Sequence, residues 1–326
     1  MSVLRTTEVF YITNAPFAVP TLVSVESLRR WKSAASLKIN VVLLDMNKEQ
    51  VEDFGRLAQD LRIQIHTLST EALASFGNEK FNATHVPLAT LARFLIPEFF
   101  ENEDIDILYV DGDTLFVQDP RELLDILAPE IGLLAAEDQS YFYANDYGKT
   151  GKNIASYFSN IGVNAKQGYF NAGVLKFRAR EWVNISKECL SFLENNLSIC
   201  QYHDQSALNA VAGSKRIRLS PIWNFKPSYW NWGVSEIAEP KLLHFVGGDK
   251  PWMGKLKVWS GLYPDYIKAI ECRRHRSFSL KMWDERQQAD HLKSERWQQI
   301  KDSTIFLRRM ARRRAMFRGL VETSVL

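Results

Sequence analysis

Cysteine is scarce: Cys189, Cys200 and Cys272 are the only three in 326 residues. Their spacing offers neither a disulfide framework nor a set of metal ligands. They read as buried or idle thiols of a reducing compartment. No run of about 18 apolar residues occurs, so no transmembrane helix is expected. Met1 to Thr7 lacks the basic-then-apolar order of a secretory signal. Internal repeats and low-complexity linkers are missing. So are the aromatic-platform and groove-reading motifs of nucleic-acid binders. These absences point to a cytoplasmic chain with no nucleic-acid partner.

What is present can build a large core, with 46% hydrophobic and 12% aromatic residues. The length suits one large domain or two small ones. The net charge of +3 is unevenly placed. Residues 271–326 hold 14 Lys+Arg against 7 Asp+Glu, or +7; subtracting these from totals of 41 and 38 leaves 27 against 31, or −4, for residues 1–270. A basic tail on a mildly acidic body suggests an anionic partner for the tail.

Short apolar runs alternate with helical patterns along the first two thirds of the chain. Strands are expected at Val9–Ile12, Asn40–Leu44, Ile63–Leu68, Ile105–Val110, Gly132–Ala136 and Asn171–Phe177, with Lys241–Phe245 closing the sheet. Helices are expected at Leu22–Trp31, Lys48–Asp60, Pro87–Phe99, Trp182–Leu197 and Asp204–Val211. Such alternation implies parallel βαβ units, hence an α/β fold with a mostly parallel central sheet. The polar stretch Gln139 to Lys166 reads either as a wall of an acceptor site or as an ordinary surface excursion.

One triplet stands out, Asp111-Gly112-Asp113, placed where the strand Ile105–Val110 leaves the sheet. Two carboxylates flanking a residue without a side chain can close on one hard divalent cation, which shares its oxygen ligands with phosphates. Ligands of open α/β sheets bind at the carboxyl ends of strands. Asp-Gly is also an ordinary hairpin turn.

The triplet is followed in order by three further blocks: Tyr169-Phe170-Asn171-Ala172-Gly173-Val174-Leu175, then His203-Asp204-Gln205-Ser206-Ala207-Leu208-Asn209, then His244-Phe245-Val246-Gly247-Gly248-Asp249-Lys250-Pro251-Trp252. Together they resemble the retaining glycosyltransferases of family 8, over roughly residues 8 to 260. That group includes glycogenin and bacterial lipopolysaccharide galactosyl- and glucosyltransferases. The resemblance implies a GT-A-like, Rossmann-type nucleotide-sugar-binding fold. It also implies transfer of galactose or glucose from a UDP-sugar to a saccharide acceptor such as a lipopolysaccharide core. Capsule, glycoprotein or teichoic-acid transfer and an idle sugar-nucleotide-binding scaffold remain as alternatives.

Roles follow from the matched positions. Asp111, Asp113 and His244 would hold Mn²⁺ or Mg²⁺, with Gly112 between the carboxylates and the nitrogen ligand favouring manganese. Gly247 and Lys250 would meet the phosphates, and Arg93 the donor phosphate and sugar. Thr13 and Asn14 end the first strand, where the nucleoside should sit. Asn171, Ala172 and Gly173 border the donor, Asp138 takes sugar hydroxyls, and His85 lines the acceptor side. Asp204 and Gln205 would orient and stabilise a same-face attack, the Gln205 carbonyl facing an oxocarbenium-like centre. Ser206 stands where the family usually has a further Asp.

The expected division is a catalytic domain over 1–265 and a basic helical appendage over 266–326. Arg308, Arg309, Arg312, Arg313, Arg314 and Arg318 interleave with Phe306, Met310, Phe317 and Val321 near a helical period. A basic amphipathic helix of this kind reads as a membrane-surface element, with a solvated terminal helix or a nucleic-acid tail as the alternatives. It would attach the enzyme peripherally to anionic lipid and bring it to a glycolipid acceptor.

Overall fold

A computed structural model describes residues 5–71, 91–164, 167–254, 263–304 and 307–326. Its centre is a seven-stranded sheet in the order β3-β2-β1-β4-β7-β6-β8. The strands are β1 (Thr7–Thr13), β2 (Ile39–Leu44), β3 (Gln64–Leu68), β4 (Asp106–Val110), β6 (Leu133–Glu137), β7 (Phe170–Arg178) and β8 (Arg216–Arg218). β2 and β4 are buried along their whole length, as expected of apolar runs covered on both faces. Successive side chains of β1 enter opposite layers: Val9 and Tyr11 join one core cluster, Phe10 the other.

The first layer is dominated by the Ala18–Arg29 helix, buried at ten of its positions. A helix apolar on all sides belongs inside a fold. Its Ser24 and Ser27 are spent on Thr114 and on the Phe116 N–H, so no hydroxyl is stranded. The opposite layer is built on the Ala179–Asn196 helix, whose Trp182 stacks on Phe177 with ring centroids 4.0 Å apart. The Lys48–Leu57 helix opens on a capping box between Asn47 and Gln50.

The sheet is mostly parallel, as expected, with β7 running against both its neighbours, β4 and β6. Two expectations need correction. Leu242–His244 (β9) does not close that sheet. It pairs antiparallel with Thr114–Phe116 (β5), a strand not read from the sequence, in a separate two-stranded ribbon. The chain leaves the main sheet at Asp111, and β5 then needs a new partner for its backbone groups. Secondly, Ala92–Phe99 is a 3-10 helix containing Pro97 rather than part of an α-helix; residues 87–90 lie outside the described residues.

The tail is also packed differently from an appendage. The expected boundary at residue 265 falls inside the Tyr263–Cys272 helix, whose Tyr266 and Ile270 are buried. In the Leu307–Thr323 helix, Met310, Phe317 and Leu320 face the body, not solvent. Phe317 meets Tyr229 and Phe225 edge-on at 5.3 and 6.1 Å. Arg313 pairs with Asp146 and lies over the rings of Tyr143 and Trp232 at 4.5 and 5.0 Å. Beyond the helix, the Val325 N–H donates to the Arg218 carbonyl at 3.0 Å, and its own carbonyl accepts from Ser220 at 3.0 Å. The apolar stripe expected to enter lipid therefore completes the core; Phe306 lies outside the described residues. Among the described residues, no helix is long and apolar enough to cross a membrane.

The polar stretch from Gln139 folds mainly as two helices, Gln139–Ala144 and Lys149–Asn160.

Candidate active site

Two features of the topology assemble the site. The β5–β9 ribbon sets Thr114 opposite His244, carrying that imidazole back to the Asp-Gly-Asp. The reversed direction of β7 puts its beginning beside the end of β4, where the Asp111 N–H donates to the Gly173 carbonyl at 2.8 Å. One ligand atom each from Asp111, Asp113 and His244 then lie within 4.8 Å of one another. His244 Nε2 is 3.6 Å from Asp111 Oδ2 and 3.4 Å from Asp113 Oδ1. Two carboxylates and a buried imidazole, gathered at a strand end, fit a hard or borderline divalent cation. Such an ion would hold and neutralise a diphosphate leaving group.

Both flanking glycines are forced by space. A Cβ on Gly112 would lie 2.0 Å from Thr21 Oγ1, and one on Gly173 would lie 2.1 Å from His244 Cε1. Lys250 donates from Nζ to Asp113 Oδ2 at 2.6 Å and to the Phe245 carbonyl at 2.7 Å. Burial would raise the Asp113 carboxyl, but His244 and Lys250 overcome this and hold it far below the usual carboxylate range. Gly247 sits at φ +96°, a left-handed geometry that favours glycine.

Arg93 is the hub of the cleft and is nearly fully buried. Its guanidinium reaches Asp204 Oδ2 at 2.9 Å, the Ala172 carbonyl at 2.5 Å and Asp111 Oδ1 at 3.4 Å. It lies 4.8 Å over the Tyr109 ring, and the Tyr109 hydroxyl donates to Asp111 Oδ1 at 2.8 Å. Burial opposes the Arg93 charge, yet Asp204 and its acidic neighbours hold the pKa above its ordinary value. Burial likewise raises the Asp204 carboxyl despite the facing guanidinium.

Two cavities meet at Arg93 and Asp111. One, of about 240 Å³, is bounded by Thr13, Asn14, Phe17 and Leu44 at the ends of β1 and β2. The other, of about 300 Å³, is bounded by Asn171, Gly173, Tyr202, His203, Asp204 and Gln205. The cleft thus has a side framed by an aromatic and an aliphatic residue and a polar side, with the carboxylates between.

The remaining expected residues take less direct positions. Asp138 caps the Gln139–Ala144 helix, accepting from the Ser140 N–H at 2.9 Å and from Asn171 Nδ2 at 3.1 Å. Burial works against its charge, but Lys226 and the Ser140 donors hold its carboxyl below the ordinary value. The Gln205 carbonyl accepts from Asn171 Nδ2 at 3.0 Å and the Ala172 N–H at 3.1 Å, so both its lone pairs face protein. His85 lies outside the described residues. Tyr109, Phe17 and Asn224 escaped the sequence reading. Tyr109 and Phe17 sit within apolar patterns that look like ordinary core, and no motif marks Asn224.

An open α/β sheet with an acidic cluster at its strand ends, facing a cleft, is the arrangement in which such sheets bind their ligands. The sequence profile of glycosyl transferase family 8 matches residues 8–255, and the chain belongs to that family. The lipopolysaccharide 1,3-galactosyltransferase of Salmonella typhimurium is 26% identical over 256 residues, 74% of this chain and 70% of that protein. The lipopolysaccharide glucosyltransferase WaaO of Escherichia coli is 24% identical over 276 residues, 79% of this chain and 74% of that one. General stress protein A of Bacillus subtilis is 27% identical over 192 residues, 54% of this chain; the chain spans 63% of that relative's length. In fold, the chain is similar to the galactosyltransferase LgtC solved with donor and acceptor sugar analogs. The TM-score is 0.66 at 20% identity, over 86% of this chain and 98% of that one.

Proposed function

We propose that this chain is a retaining, metal-dependent hexosyltransferase. It moves galactose or glucose from a UDP-sugar to a saccharide acceptor, with a lipopolysaccharide or lipooligosaccharide core as the preferred acceptor. The observation that carries this reading is the convergence of Asp111, Asp113 and His244 between two arms of one cleft. Thr13 and Asn14 bound the arm suited to a nucleoside. Lys250, and Arg93 behind the carboxylates, supply positive charge for the diphosphate. In the other arm an acceptor hydroxyl attacks the anomeric carbon on the face the diphosphate leaves. The carbon–oxygen bond to phosphate breaks, and the departing phosphate oxygen takes the hydroxyl proton. Asp204, fixed by Arg93, orients the reacting groups; Gln205 braces Asn171 and Ala172 beside them.

The reading is tested with a panel of UDP-hexoses and Mn²⁺, following the product's anomeric proton by NMR. An α-linked product that disappears on adding EDTA or in Asp113→Ala is expected. Full turnover in excess EDTA removes the metal role, and a β-linked product from an α-configured donor overturns the mechanism. Lys250→Ala should lower turnover by about an order of magnitude or more.

We infer also that the enzyme attaches peripherally to an anionic membrane from the cytoplasmic side. With the Met310–Phe317 stripe spent on the core, the supporting features are outward ones. Arg308 and Arg318 are exposed, and the Glu285–Ser303 helix presents Lys293, Arg296 and Lys301 beside Leu292, Trp297 and Ile300.

A further inference from the structure

We propose that Asn224 is a positioning residue that fixes the tautomer of His244, and that Asn171 ties the same constraint to the sugar side of the cleft. The tautomer is independent of the function proposed above; only its consequence for a cation rests on that reading.

A backbone N–H can only donate. The Gly173 N–H points at one atom of the Asn171 amide at 3.0 Å, so that atom is the oxygen. The other end is pinned as firmly, because the Asp138 carboxylate accepts from Asn171 Nδ2 at 3.1 Å. Asn171 Oδ1 also meets the Asn224 amide at 3.0 Å, so Asn224 presents its NH₂ there. The Asn224 oxygen is left to face His244 Nδ1 at 2.8 Å. An amide oxygen only accepts, so Nδ1 carries a proton. In the neutral ring Nε2 is thereby the nitrogen whose lone pair can ligate, and it is the one facing Asp111 and Asp113.

Burial leaves water little part in this chain: Asn224 is 0%, His244 3% and Asn171 7% exposed. The Asn171 amide uses both lone pairs and both hydrogens, on Gly173, Asn224, Asp138 and Gln205. It is a linker with nothing left over for a ligand. Asn224 itself is placed by the short turn Pro221–Asn224, after which Phe225 bridges Leu243 and accepts from the His244 N–H at 2.8 Å. Backbone pairing thus sets the imidazole beside the amide that orients it. Outer partners of metal-binding imidazoles change metal affinity by about 10–100-fold when removed.

The first test needs no variant. Long-range ¹H–¹⁵N NMR of the histidine side chains, with His244→Gln to assign one of the six, should show a protonated Nδ1 in the full-length protein. A bare Nδ1 overturns the proposal. The second test is Mn²⁺ binding by titration calorimetry, with no sugar nucleotide present. Asn224→Leu, shown folded by circular dichroism, should bind Mn²⁺ about 10–100-fold more weakly. Asn224→Asp, which restores an acceptor at Nδ1 but not the donor to Asn171 Oδ1, should recover part of that loss. Unchanged affinity in the leucine variant overturns the role. A wild-type chain that binds no Mn²⁺ sinks the metal-dependent reading instead, and the Nδ1 proton then decides the relay alone.

Discussion

Gly173 acts by what it lacks. A methyl group there would press on His244 Cε1 at 2.1 Å and on Asp111 Oδ2 at 2.5 Å, both in the ligand cluster. Gly173→Ala should therefore weaken Mn²⁺ binding at least tenfold and, because the added methyl overpacks a buried site, cost about 1–3 kcal/mol of stability, although φ there is not in the left-handed region. Calorimetry and thermal melts on one sample check both halves. At this scale the sequence was most informative about groups with intrinsic chemistry. Asp111, Asp113, His244 and Arg93 are found together in space. It was silent on neutral amides, because an Asn acquires a role only through the neighbours that use its two ends. A different residue-scale prediction concerns buried amines. Burial pulls the pKa of Lys176 and of Lys226 down to about 8. Below pH 8 both the folded and unfolded chains hold these protons, and the fold carries the full cost of burying charge. From about 8 to 10.4, the usual lysine value, the unfolded chain binds more protons, so stability rises with pH. Ionising tyrosines in the unfolded chain oppose this above about pH 10. Urea midpoints should increase between pH 8 and 10, and Lys176→Met should flatten the slope.

Six strands of the main sheet were legible as apolar runs, while β8 (Arg216–Arg218), with two arginines in three residues, was not, nor were the reversal of β7 and the strand partners. A run such as Asn171–Phe177 is buried on both faces whichever way it points, so composition carries no sign of its reversal. The ribbon of β5 and β9 is three residues on each side, too short for a period to register. The tail shows the reverse error. The helical period of Met310, Phe317 and their neighbours was visible, and its partner was not. An amphipathic stripe fits a lipid surface or a cluster of aromatic rings equally well, and here Tyr229, Phe225 and Trp232 supply the rings. Phe317 is fully buried, so Phe317→Ala should cost about 3–5 kcal/mol. Chemical unfolding measures it. Removing every residue after Thr304 should likewise lower stability, even with a short soluble acceptor as the only substrate.

The molecule as a whole is a body of −4 carrying a C-terminal region of +7. Part of that charge is spent internally: Arg273 pairs with Glu26 and Asp60, and Arg314 with Glu236. What points outward should still favour anionic vesicles, at about 1 kcal/mol per basic residue near the surface. Flotation with anionic vesicles should weaken as salt rises, and Trp297→Ala should weaken it further at fixed salt. Equal flotation with neutral and anionic vesicles would remove the electrostatic attachment. The docked tail has a further consequence in time. The Phe225 and Tyr229 rings leave the ribosome about ninety residues before Phe317, the side chain packed against them. At about 5–20 residues per second, that surface stays open for roughly 5–18 seconds during synthesis. Nascent chains stalled before residue 307 should be cut by protease near Trp232 faster than chains carrying the helix. The growing polypeptide passes through an interval in which its Leu307–Thr323 helix is the shield it does not yet have.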